Sequence, residues 1–168
     1  CISLLAAFTL LLNACAISTP WPRLTPATAA VTDEQVVLVL TRVVVDPAQR
    51  AEFDRQNSFV MASMTSQPGL IGYSARRQLF GDEGWTMSVW ASEEARAAFV
   101  RSAVHRKAIA KSLPALRGVE FKRLTVARKN LPANWDQVLR LLKAVRRALP
   151  DGGTVLLAEP LSRVAGVE

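Results

Sequence analysis

Hydrophobic positions along this chain change period several times, and each change marks an element. From Gln35 to Val45 (QVVLVLTRVVV) almost every position is apolar or β-branched, which predicts a strand covered on both of its faces. Asp46-Pro47 ends it, and Pro47 suits the first turn of a helix. Between Ala48 and Ser66 the residues Phe53, Val60, Met61 and Met64 recur at helical spacing, and Gln67-Pro68-Gly69 closes the segment as a turn. Leu70 to Phe80 alternates, with Ile71, Tyr73 and Ala75 on one face and Ser74 and Arg76 on the other. Gly81-Asp82-Glu83-Gly84 then reads as a hairpin loop, pairing this strand antiparallel with Trp85 to Ala91. Ser92 opens a second helix: its oxygen can accept from a first-turn amide, and Glu93 and Glu94 sit at the positive end of the helix dipole. The helix is predicted to run unbroken to Lys111. Leu113-Pro114 stops it, and Val119 to Val126 (VEFKRLTV) supplies a fourth strand after Gly118.

The order strand, helix, strand, strand, helix, strand predicts an α+β fold of the ferredoxin-like βαββαβ type, a four-stranded antiparallel sheet with two helices on one face. Two helices shelter only one side of such a sheet, yet the first strand is apolar on both. A second copy of the chain is the simplest cover for the other side, so the pattern predicts a homodimer through the sheet face, a dimeric α+β barrel.

Three segments flank or make up this body. Residues 1–30 form a leader and linker: Ile2 to Leu12 is an apolar run of signal-sequence length, Leu12-Asn13-Ala14-Cys15 is similar to a bacterial lipobox, and Ser18 to Ala30 is rich in Pro, Thr and Ala. Residues 31–127 hold the βαββαβ pattern. Residues 128–168 form a connector and a tail, in which Trp135, Val138, Leu139, Leu142, Val145 and Leu149 make an amphipathic stripe before the turn Pro150-Asp151-Gly152-Gly153 and a short apolar strand, Thr154 to Ala158. That tail has no sheet of its own to join. The body reads as cytoplasmic; export or a lipid anchor on a membrane follows only where Cys15 is a true lipobox cysteine.

Charge changes this picture little. The chain has 168 residues and a formal charge of +7, with no basic run of five, so its cations read as a solvated surface and not as a nucleic-acid site. Its two cysteines, Cys1 and Cys15, both lie in the leader, and one histidine with two distant cysteines makes no metal site. No G-x-G-x-x-G, P-loop or nucleophile elbow occurs, so no cofactor is expected.

The segments Pro68-Gly69-Leu70-Ile71-Gly72-Tyr73, Trp85-Thr86-Met87-Ser88-Val89-Trp90 and Phe99-Val100-Arg101-Ser102-Ala103-Val104-His105 resemble the antibiotic biosynthesis monooxygenase (ABM) superfamily over about residues 36–126. The resemblance implies a dimeric α+β barrel with a pocket between sheet and helices. It also implies a cofactor-independent monooxygenase acting on an aromatic polyketide or quinol-like small molecule, or a non-catalytic ligand-binding or structural dimer of the same build. The haem-degrading branch is disfavoured, because the matching second-helix positions carry Phe99 and Ile109 and the first strand has no Asn. The stretch Leu139 to Gly153 followed by Leu156-Leu157-Ala158-Glu159-Pro160 resembles a late fragment of plant- and carotenoid-type O-methyltransferases. The catalytic histidine and the S-adenosylmethionine loop of that family have no counterpart here, which implies a remnant, a fusion artefact or a dimer-packing appendage and not a working methyltransferase.

Direct reaction of a phenolic substrate with dioxygen calls for aromatic walls, one or two donors and one base. His105, the sole histidine, is the candidate base, and Tyr73, the sole tyrosine, the candidate donor to a phenolate. Trp90, Trp85, Phe99, Asn57 and Arg76 are the candidate substrate-binding residues. Each has a plainer reading: a surface or capping histidine, a strand tyrosine, packed aromatics, a polar residue at the edge of an apolar stripe, a solvated arginine. Strand alternation sends Trp85 and Trp90 to opposite faces, so one of them packs away from any pocket.

Overall fold

The computed structural model describes residues 16–19, 34–148 and 154–157, and the leader with its lipobox-like Cys15 lies outside them. Strands β1 (Ala16–Ser18), β2 (Gln35–Val45), β3 (Leu70–Gln78), β4 (Glu83–Trp90), β5 (Leu116–Ala127) and β6 (Thr154–Leu157) form one sheet in the order β1-β3-β4-β2-β5-β6. Its antiparallel centre, β3-β4-β2-β5, has the strand arrangement of the predicted ferredoxin-like fold. The greasy β2 lies in the middle, where both of its edges are paired, by β4 and by β5. The sheet is wider than the expected four strands, because β1 adds to β3 and β6 runs parallel to β5.

Helix α1 (Arg50–Met64) follows a 3-10 turn begun by Pro47, with the Asp46 carboxylate accepting from the Ala48 amide at 3.0 Å. After α1 the chain reverses at Gly69, whose φ of +74° suits glycine. A Cβ there would also come within 2.5 Å of the Ala95 Cβ, so the turn can lie close against the next helix.

That helix departs from expectation. Ser92 caps it as predicted, accepting from the Ala95 amide at 3.3 Å, but it stops at Arg101, and a new helix begins at Ala103. These are α2 (Glu93–Arg101) and α3 (Ala103–Ser112). Ser102 is extended (φ −60°, ψ 149°) and both ends α2 and caps α3, its hydroxyl accepting from the His105 amide at 3.2 Å. Helical periodicity continues across the joint, and no glycine or proline marks it.

The larger departure concerns the face assigned to a second subunit. Helix α4 (Trp135–Ala148) lies across it. Trp135, Val138, Leu141, Leu142 and Val145 pack on Val36, Leu38 and Leu40 of β2, Met87 and Val89 of β4, and Leu124 and Val126 of β5. Leu38 and Leu124 are 0% exposed. The tail's amphipathic stripe therefore provides, within one chain, the cover for which a twin was invoked. The reason is connectivity: the chain leaves β5, crosses the sheet as α4 and returns as the parallel strand β6, a β-α-β unit added to the edge of the ferredoxin-like core. So the tail, without a sheet of its own, extends this one. At its start the Trp135 indole donates to the Ser74 hydroxyl at 3.0 Å, and Ser74 also lies 3.2 Å from the hydroxyl of Thr19 just after β1. The cations are not all solvated either, since Lys122 of β5 is buried on this face.

No helix among the described residues is long and apolar enough to cross a membrane.

Candidate functional site

The opposite face is built differently. Its positions on β2 are Val37, Val39, Thr41 and Val43, paired across β4 with Trp90, Ser88, Thr86 and Gly84. Of the seven with side chains, only Val37 and Trp90 are buried; the others stay partly exposed. On β5, Val119 and Phe121 lie beside Val43 and Thr41, and Phe121 is 55% exposed. Helices α1, α2 and α3 cover this face incompletely, so that Val39, Thr41, Val43, Thr86 and Ser88 stay partly reachable from solvent.

Its inner wall is aromatic. Trp90, 1% exposed, stacks on Phe99 of α2 with ring centroids 5.1 Å apart, and Phe99 meets the His105 ring edge-on at 4.8 Å. Met64 and Val60 of α1, Val37 and Val39 of β2, Ala95 of α2 and the half-buried Tyr73 of β3 complete the cluster. These contacts come from elements far apart in sequence: strand alternation turns Tyr73 and Trp90 to one side, and the capped start of α2 sets Phe99 over them.

His105 is positioned by the break in the helix. In the first turn of α3 it lies back against Phe99. Burial pushes its pKa below the usual imidazole value; the Val100 backbone offsets the effect in part, and the nearby positive charge of Arg96 adds to it. At neutral pH the ring is therefore largely uncharged, and a neutral imidazole has one nitrogen that can accept a proton.

Four of the seven candidate residues thus come together: Tyr73, Trp90, Phe99 and His105. Trp85 and Arg76 pair with one another across β4 and β3 on the α4 side of the sheet, away from the cleft. Asn57 lies half-buried on α1, next to the buried Gln56, and makes no side-chain hydrogen bond among the described residues. A cleft residue missed in the sequence is Ser88. Its hydroxyl accepts from the Trp90 indole N–H at 2.9 Å, and the signal was present in the i, i+2 spacing that puts Ser88 and Trp90 on one face of a strand. At the far side, Arg123 of β5 donates to the Glu93 carboxylate at 2.9 Å, tying the sheet to the first turn of α2. Hydrogen bonding from Arg96, together with the charges of Arg96 and Arg123, holds the Glu93 carboxyl below its usual pKa despite partial burial. No three His, Cys, Asp or Glu side chains converge as a metal site among the described residues.

An antiparallel sheet with two helical layers packed against it is the build of a small α+β protein of ferredoxin-like fold. Residues 36–111 match the family model described as antibiotic biosynthesis monooxygenase, so this part of the chain is similar to the ABM superfamily. Among solved structures, a candidate monooxygenase from Lactobacillus acidophilus is similar at 20% identity and a TM-score of 0.50, over 58% of this chain and 49% of that one. This chain thus spans about half the length of that relative. A conserved Methanosarcina mazei protein is similar at 16% identity and a TM-score of 0.51, over 54% of this chain and 92% of its own. A Mycobacterium tuberculosis protein is similar at 18% identity and a TM-score of 0.50, over 59% and 96%. At these identities the likeness is one of fold. No curated protein matches the chain.

Proposed function

We propose that the cleft binds a planar aromatic small molecule, an aromatic polyketide or quinol-like compound, and that the protein is a cofactor-independent monooxygenase of the ABM type. The observation that carries this reading is the half-open floor beside the Trp90–Phe99–His105 cluster. An aromatic cluster beside that floor favours a flat aromatic guest, with offset or edge-on contacts adding to the burial of its surface. His105, largely uncharged, takes a proton from an activated ring carbon or phenol. Tyr73 donates to the oxygen on which the negative charge settles. The resulting anion, shared by the phenol and its keto tautomer, reacts with dioxygen: counted from the keto tautomer, two C–H bonds at the activated carbon give way to one C=O, and the second oxygen atom leaves as water. All four electrons come from the substrate, so no external reductant is consumed.

Oxygen uptake over a panel of quinols and polycyclic phenols tests this. Turnover with at least one of them is expected, falling on the order of 100-fold in His105→Ala, the usual contribution of a general base. Turnover unchanged in both His105→Ala and Tyr73→Phe would remove these two residues from the mechanism. Binding without oxygen uptake would favour a carrier on the same fold.

A further inference from the structure

From the cleft floor we infer that Ser88 is its ligand-orienting donor, selecting aromatic compounds that carry a carbonyl or hydroxyl oxygen on the ring. The inference rests on the cleft being a ligand site, and it adds the group that reads the ligand's oxygen.

Trp90 is buried and has a single polar atom, which it uses on the Ser88 oxygen at 2.9 Å. A serine hydroxyl has one proton to give besides its lone pairs. With the indole N–H on a lone pair, the Ser88 proton must point elsewhere, and among the described residues it finds no acceptor. The residue is only half-buried. Its place on the sheet is central: the register aligns Tyr73, Ser88, Val39 and Arg123 in one row across β3, β4, β2 and β5. Both ends of that row carry a further polar group, the Tyr73 hydroxyl on one side and the Glu93-paired Arg123 on the other. Between them Ser88 presents a donor beside the Trp90–Phe99 wall. The bond it accepts from Trp90 polarises its own O–H, since linked hydrogen bonds strengthen one another. A hydrocarbon placed over this row leaves the proton without an acceptor; an oxygenated ring supplies one.

The test compares 1-naphthol with naphthalene, two probes of nearly equal shape, by equilibrium dialysis against the full chain. Wild type is expected to bind 1-naphthol about tenfold more tightly, the effect of one good hydrogen bond. In Ser88→Ala that ratio should fall to about one while naphthalene affinity changes less than about twofold. Should the alanine variant fold poorly, for want of a partner for the Trp90 indole, Ser88→Cys keeps the volume with a weaker donor and should lower the ratio to an intermediate value. A role limited to satisfying Trp90 would weaken both probes alike and leave the ratio untouched, which overturns the assignment. A wild-type ratio near one overturns it as well. If neither probe binds the wild type, the cleft reading itself fails, and this inference fails with it.

Discussion

The two faces of one sheet make the instructive comparison in this protein. Both begin from the same strand, β2, whose alternate residues are about equally apolar. On the even-numbered side, Val36, Leu38 and Leu40 are sealed beneath the single amphipathic helix α4. On the odd-numbered side, Val37 is buried but Val39, Thr41 and Val43 are not, beneath α1 and the two short helices α2 and α3, which are separated at Ser102. One amphipathic helix laid across the sheet seals one face, whereas a roof that includes two short helices meeting at a joint leaves strand positions of the other face uncovered. Burial is thus concentrated on one face and solvent exposure on the other, although composition hardly distinguishes them.

Unequal responses to truncation would test that contrast most directly. Leu141→Ala, beneath α4, is expected to cost about 2–5 kcal/mol in urea unfolding, a transfer term plus a cavity. Val39→Ala, on the cleft floor, should cost about 1 kcal/mol, because a half-buried valine loses only part of its burial. Equal costs would show that both faces are packed alike. A smaller effect, about 1 kcal/mol, is expected for Trp135→Phe, which removes the donor to Ser74 while Thr19 still partners that hydroxyl. No loss would mean that α4 is held by apolar contact alone. Ser102→Ala should also cost about 1 kcal/mol by removing the cap of α3, and it should shift the His105 ring resonances, since the joint positions that ring. Unmoved resonances would separate the cap from the site.

The smallest effect is a pH dependence. As the sole histidine, His105 can be followed alone by NMR titration, and its midpoint is expected below 6.5, the ordinary imidazole value. The sign follows from proton uptake. Between the depressed folded value and 6.5 the unfolded chain binds more protons than the native one. The stability that His105 contributes is therefore full above 6.5 and lost as pH falls through the folded value. Replacing His105 with Phe should flatten that part of the urea midpoint against pH; an unchanged slope would place its origin elsewhere.

Much of the architecture could be read locally. The period-two runs of β3 and β4, the hairpin between them, the Ser92 cap and the turn at Gly69 are each set by residues within a few positions of one another. The amphipathic stripe of α4 was equally plain. What it would cover was not, because a stripe states that a helix needs a partner and says nothing of which one. The break at Ser102 was hidden for a related reason: serine is tolerated inside helices, and only the packing of Phe99 and His105 across the joint favours its extended conformation. In the site, alternation correctly separated Trp85 from Trp90, while Arg76 follows Trp85 to the opposite face through their cross-strand pairing.

Sequence by itself determined the elements, their order and which residues share a face of each strand, since these follow from side-chain period, caps and turns acting over short distances. Tertiary structure alone decided that α4 takes the face where a second copy was expected, and that the Trp90–Phe99–His105 cluster forms on the other. Those outcomes depend on competition among distant apolar surfaces for one another, and on a connection from β5 through α4 to β6 that puts one contender within reach of the sheet.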